Sequence, residues 1–241
     1  MIPRVIHYCW FGGKALPNTA VKCIESWKSF FPDYEIKEWN ESNFDVNLMT
    51  FTQEAYEAKK YAFVSDVARF WILYNEGGIY FDTDVEVIAS FDDIVINNAF
   101  MGVEVPSCNG SYPAVNPGLG LGAEKGNKVI KMVLDYYKTL HFHNEKGDQN
   151  PGTVVTHTTT VLRKYFMLKP INDIQKLESV TIYPVDYFNP FDDLTGVLKK
   201  TKNTHSIHWF SKTWVDKPYW YFRITRVLHR LFGTEISHIF R

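Results

Sequence analysis

Apolar residues recur along this chain at two spacings, and the alternation between them predicts the elements. PRVIHYCW near the N-terminus is a β-rich run closed by Gly12-Gly13. In TAVKCIESWKSFF the apolar Val21, Ile24, Trp27 and Phe31 repeat at helical spacing, and Pro32 stops the run. YEIKEW alternates as a strand does. A helix is expected over about Thr52–Lys60 and a longer one over about Ala62–Glu76. Val64, Val67, Trp71 and Tyr74 line one side of the second, and Gly77-Gly78 supplies its left-handed cap. Strands follow at IYF, VEVI, FMGVEV and GLGLG, then helices near Lys128–Leu140 and Val154–Phe166, then strands at VTIYP and SIHW. Strands interleaved with helices predict an α/β architecture, a mostly parallel central sheet flanked by helices.

The last periodic stretch is Pro218–Phe232. At helical spacing Arg223, Arg226 and Arg230 fall on one face, and Trp220, Ile224, Val227, Leu228 and Leu231 on the opposite one. Pro218 and Gly233 set its limits. Such a helix either packs its apolar face on the domain with arginines in solvent, or lies at an anionic membrane surface. The organisation expected is therefore a domain over 1–215 and a basic amphipathic tail over 216–241.

Composition narrows the classes. The 241 residues carry a net charge of −1, which excludes non-specific nucleic-acid binding by the chain as a whole. That average hides a basic tail, since residues 209–241 hold six Lys and Arg against Asp216 and Glu235. An apolar content of 45% is enough for one large core. Three cysteines without a C-x-x-C pair point away from a disulfide scaffold or zinc site and toward a reducing compartment. The N-terminus enters a strand at once, and no uncharged apolar run approaches the roughly 18 residues that span a bilayer. A cytoplasmic protein is expected, peripheral at the inner face of the plasma membrane if the tail attaches it.

The chemistry concentrates in SDVARFWILYNEGGIYFDTDVEV. Asp66 and Arg69 are three apart on a helix and so share a face. Tyr80, Asp82 and Asp84 are two apart on a strand and share one face, at the carboxyl end where ligands of open α/β sheets gather. Carboxylates so placed suit Mg²⁺ or Mn²⁺. Taken singly, a D-x-D triplet is a solvated turn and an Asp–Arg pair a surface ion pair; their combination around a glycine pair is what singles them out. GLGLG lacks the G-x-G-x-x-G phosphate fingerprint.

The segment YAFVSDVARFWILYNEGGIYFDTDVEV resembles the hallmark of glycosyltransferase family 32, which includes capsule and exopolysaccharide sugar transferases and a fungal initiating α-1,6-mannosyltransferase. It is similar more distantly to the glucosylating domain of clostridial toxins. IPRVIHYCWFGG resembles the family's first strand and HSIHWFSKTW its closing motif. The resemblance implies a GT-A fold, a nucleotide-sugar donor (UDP-hexose favoured), a divalent metal, and transfer with retention to a glycan or lipid-linked glycan. It implies that Trp10 stacks on the donor base and that Asp66 and Arg69 hold sugar or ribose hydroxyls and phosphates. Asp82 would contact ribose or sugar and, with Asp84 and His208, form the metal site; Trp214 would cover the diphosphate and the glycosidic oxygen. Tyr80 and Asn116 join the donor-binding set. The motif departs from the family at Thr213, where a Ser is usual, and Ser211 offers a hydroxyl instead. Two other classes compete: a haloacid-dehalogenase-like phosphatase, which also ends a strand in D-x-D, and a non-catalytic sugar-binding relative.

Overall fold

The computed structural model describes residues 1–144, 149, 152–211 and 219–233. The chain runs β1 (Val5–Cys9), α1 (Asn18–Phe30), β2 (Glu35–Trp39), α2 (Thr50–Glu57), α3 (Tyr61–Asn75), β3 (Gly78–Tyr80) and β4 (Val85–Val87). It continues through β5 (Ala99–Val105), β6 (Ala114–Ala123), α4 (Lys128–Tyr137), α5 (Val154–Tyr165), β7 (Gln175–Leu177), β8 (Val180–Tyr183) and the short α6 (Val185–Phe188). Last come β9 (Phe191–Asp192), β10 (Val197–Leu198), β11 (Ser206–His208) and α7 (Tyr219–Phe232).

Seven strands form the central sheet in the order β2-β1-β3-β6-β5-β8-β7. The sheet is mostly parallel: β1, β2, β3, β5 and β8 run one way, while β6 and β7 run against their neighbours. Helices cover both faces. One core lies under α3, α4 and α5 and includes Phe70, Tyr137 and Phe142. The other, around Trp27, Phe81, Phe91 and Phe188, lies on the α1 side.

Three local features set up the site. First, α3 buries Val64, Val67, Ala68, Phe70, Ile72 and Leu73, more than one stripe, so it is clasped by neighbours on several sides. It ends where Gly77 (φ +70°) donates its N–H to the Leu73 carbonyl at 3.0 Å, a left-handed terminus that glycine takes without steric cost. A Cβ on Gly78 (φ +106°) would strike the Val5 carbonyl and the His7 ring, so β3 starts flush against β1. Second, β4 and β11 form a separate antiparallel pair with His208 opposite Val85. The α1 helix clamps that pair: Trp27 Nε1 donates to the Val85 carbonyl at 2.7 Å, and Ser26 Oγ accepts from Val87 N at 2.9 Å. Third, β9 and β10 make a small hairpin on which α7 rests.

The outward face of the helix α7 is mixed, with Arg223 and Arg230 exposed beside the apolar residues. Arg226 is directed onto the hairpin, while Ile224, Val227 and Leu231 face outward. Amphipathicity separates the two faces but does not choose the inner one, and here Asp193 and three hairpin carbonyls draw in Arg226 and His229 and hold Nε of the exposed Arg230. Among the described residues no helix is long and apolar enough to cross a membrane.

Candidate active site

The strand β3 stops at Tyr80, and Asp82 to Asp84 form a tight turn into β4, closed by Val85 N donating to the Asp82 carbonyl at 3.0 Å. This corrects the single-strand picture of Tyr80, Asp82 and Asp84 on one face. The turn divides the labour: Asp82 stays with the large sheet, and Asp84 is delivered to the small one.

On the large-sheet side the floor is Arg69, only 3% exposed. Its Nη2 lies 2.6 Å from Asp66 Oδ1 and its Nη1 3.3 Å from Asp82 Oδ1, while Nε donates to the Ser65 carbonyl. The guanidinium lies over the Tyr80 ring, 4.8 Å from its centroid, and Tyr80 Oη donates to Asp82 Oδ1 at 3.1 Å. The two carboxylates therefore share one buried cation, which is what allows them to be so close. Burial nonetheless outweighs the pull of Arg69 on Asp66, and the Asp82 charge adds to it, so the Asp66 carboxyl is raised to about 7.

On the small-sheet side Asp84 accepts from His208 Nε2 at 3.0 Å and from Ser211 N and Oγ at 2.7 and 2.9 Å. Burial acts against its charge, yet the His208 cation and these donors hold the carboxyl well below the ordinary range. For His208 burial likewise opposes charge, but Asp84 overcomes it and raises the imidazole to about 9. Ligand atoms of Asp82, Asp84 and His208 all lie within 4.8 Å of one another. Two carboxylates and one imidazole make a donor set that fits Mn²⁺ or Mg²⁺, so the residues present suit the implied ion.

These shifts give stability a pH dependence. The folded chain keeps the Asp66 proton between about pH 4 and 7, where the unfolded chain has lost it, so stability falls as pH rises through that window. The raised His208 pKa contributes stability that is complete below about 6.5 and lost as pH rises through about 9. Burial lowers His7 and His157, whose contribution rises with pH up to about 6.5 and opposes that of Asp66. Asp66→Asn is therefore expected to make the pH slope of metal-free protein more positive between about pH 4 and 7 and to leave the loss toward pH 9 in place. Urea midpoints across that range test this; an unchanged slope in the variant would contradict it.

The other expected residues are placed as follows. Trp10 follows β1, half-buried, its Nε1 donating to the Lys14 carbonyl. Asn116 is buried in β6 with both ends of its amide engaged, Nδ2 with Glu104 and Oδ1 with Gly118 N. Trp214, with Thr213, lies outside the described residues.

Gly118 was missed by sequence reasoning. A Cβ there would fall inside van der Waals contact of Asp82 Oδ2 and 3.0 Å from Arg69 Nη1. The signal was available, because an interior strand glycine often marks a close approach. The backbone at Gly118 has no left-handed φ, so a substitution acts through the Asp82 carboxylate and the Arg69 guanidinium rather than through backbone strain. Gly118→Ala is expected to displace Asp82, costing about 1–3 kcal/mol of stability from overpacking. Urea denaturation measures this, and wild-type stability in the variant would show that Asp82 can move freely.

Comparison with known proteins adds independent observations. Residues 17–101 match the family described as a glycosyltransferase sugar-binding region containing a DXD motif. An uncharacterized glycosyltransferase of Acanthamoeba polyphaga mimivirus is 26% identical over 206 residues, 78% of this chain and 76% of its own. Inositol phosphoceramide mannosyltransferase 3 of Schizosaccharomyces pombe is 31% identical over 112 residues, 44% of this chain but 31% of its own, so the chain spans under a third of that protein. Among solved structures, the PaToxG glycosyltransferase superposes with a TM-score of 0.51 at 20% identity, covering 68% of this chain and 69% of that one. A glycosyltransferase involved in glycosylation of the major capsid of PBCV-1 gives 0.50 at 16% identity, covering 88% and 95%.

Proposed function

We propose that the chain is a glycosyltransferase of the GT-A type that moves a hexose, with a divalent metal and with retention, from a nucleotide sugar to a glycan acceptor; the match of residues 17–101 to a DXD-containing sugar-binding region supports this reading. UDP is the carrier we favour, polysaccharide assembly at the cell surface the role, and the cytoplasmic face of the membrane the location. Residues 1–215 would be the catalytic domain and 216–241 an accessory tail. The observation that carries this reading is the juxtaposition of two charge centres on one turn: a buried cation shared by Asp66 and Asp82, and a metal-fit cluster around Asp84.

Leaving of a nucleoside diphosphate builds negative charge on the departing oxygens. A divalent ion held by Asp82, Asp84 and His208, with Ser211 adjacent, would supply Lewis-acid stabilisation there. Arg69 adds a permanent planar cation whose geometry is fixed by three protein contacts, so no reorganisation is needed when charge develops. Asp82, more open than Asp66, would accept from hydroxyls of the bound donor. The sugar would be oriented rather than covalently activated by these groups, so positioning and electrostatics dominate.

Incubation with a panel of nucleotide sugars, with Mn²⁺ and with EDTA, tests the proposal. Metal-dependent release of one nucleoside diphosphate is expected; cleavage of phosphomonoesters, or full activity in EDTA, would refute it. Trp10 gives a separate prediction for the donor base. Trp10→Ala should weaken binding of the free nucleoside diphosphate by about 1–3 kcal/mol if the base stacks on it. Calorimetry on the folded variant measures this, and unchanged affinity would assign Trp10 to packing alone.

A further inference from the structure

The helix α7 holds the domain through Arg226 and His229 and through Nε of Arg230, while Arg223 and Arg230 remain exposed. Arg226 pairs with Asp193 at 2.8 Å, His229 donates to the Leu194 carbonyl and Arg230 Nε to the Thr195 carbonyl. The apolar stripe is left outside, with Ile224, Val227 and Leu231 at 51%, 50% and 70% exposure. The hairpin beneath adds exposed Leu194 and Leu198. Arg223 and Arg230 are exposed beside this stripe, and apolar surface with a charged rim marks an interaction site. The rim here is basic: Lys199, Lys200 and Lys202 are exposed where the hairpin ends, and none is ion-paired among the described residues.

Beneath α7 lies a cavity of about 510 Å³. Lys22 of α1 and Arg223, Arg226 and Arg230 of α7 wall it, Glu86 also lines it and accepts from Trp209 Nε1, and it reaches Asp84 and Ser211 of the site. Asp193 neutralises Arg226, but Lys22 and Arg223 have no carboxylate partner among the described residues. Two unpaired cations in a concave space suit a phosphate.

We propose that α7 and the β9–β10 hairpin bind the interface of an anionic phospholipid membrane, and that the cavity takes a lipid phosphate headgroup. A lipid-borne acceptor would thereby be brought to the Asp84 end of the site; this last clause alone rests on the glycosyl-transfer reading. Charge favours lipid over a second copy of the chain, because pairing two identical patches sets basic rim against basic rim. On a membrane the stripe enters the acyl boundary while the rim meets headgroups.

The test is co-sedimentation of the full chain with phosphatidylcholine vesicles, with and without phosphatidic acid, alongside donor hydrolysis in solution. Wild type should sediment preferentially with the anionic vesicles. Ile224→Ser/Leu231→Ser should lower that partition about tenfold or more while leaving donor hydrolysis unchanged. Lys22→Gln/Arg223→Gln should keep binding but lose the preference for phosphatidic acid, and inorganic phosphate should not displace the protein. Absence of wild-type sedimentation overturns the proposal, as does equal sedimentation of the Ile224/Leu231 variant. Release by inorganic phosphate would make the cavity a free-phosphate site, and retained lipid preference in the Lys22/Arg223 variant would remove its headgroup role. A dimer dissolved by the Ile224/Leu231 substitutions would make a second copy the occupant. Donor hydrolysis, which needs no vesicle, reports separately on the catalytic reading.

Discussion

Asp84→Asn is expected to lower sugar transfer by about 10²–10³-fold, the scale of losing one preorganised electrostatic contact in an active site. Asp84 is the point where His208, Ser211 and the DXD turn converge, so one neutralised charge weakens every member of the proposed metal site. Mn²⁺ affinity, read by electron paramagnetic resonance, should fall in parallel with turnover. The amide can still accept from Ser211, so the fold should survive. Normal turnover together with normal Mn²⁺ affinity would exclude Asp84 as a ligand.

Arg69→Met should produce the largest loss of stability. Methionine fills a similar length without charge, leaving Asp66 and Asp82 with no cation between them. Removing one member of a buried ionic group typically costs about 3–5 kcal/mol, because the remaining charges stay desolvated. The loss should be fullest near pH 8 and shrink toward pH 5, since protonating Asp66 removes the repulsion between the two side chains. Urea denaturation at the two pH values measures it. A loss below about 1 kcal/mol at pH 8, or one independent of pH, would mean that the cluster is not held by charge.

Much of this was legible in the residues. The helix carrying Asp66 and Arg69 announces itself by its period, and Gly77 by the need for a left-handed cap. The pairing of Asp66 with Arg69 follows from helical spacing. Direction was less legible: alternation in GLGLG says strand, yet nothing local says that β6 reverses against β3 and β5. The DXD turn was misjudged because strand periodicity was carried past Tyr80, where the chain leaves one sheet for another. The hairpin beneath α7 has strands of two residues each, too short for any periodic signal. The orientation of α7 depended on that hairpin, so it was hidden with it. Gly118 lay in view but has meaning only beside Asp82, a neighbour that alternation alone does not supply.

The DXD turn also has a consequence in time. Ser211, which holds Asp84, comes 127 residues later in the chain. At about 5–20 residues per second, a ribosome needs roughly 6–25 s to make that span. Throughout this interval the nascent turn carries its carboxylates without the strand that completes the cluster. A growing chain therefore lacks His208 and Ser211 throughout this interval, and the cluster around Asp84 is completed by β11 and the residues after it rather than by the turn alone.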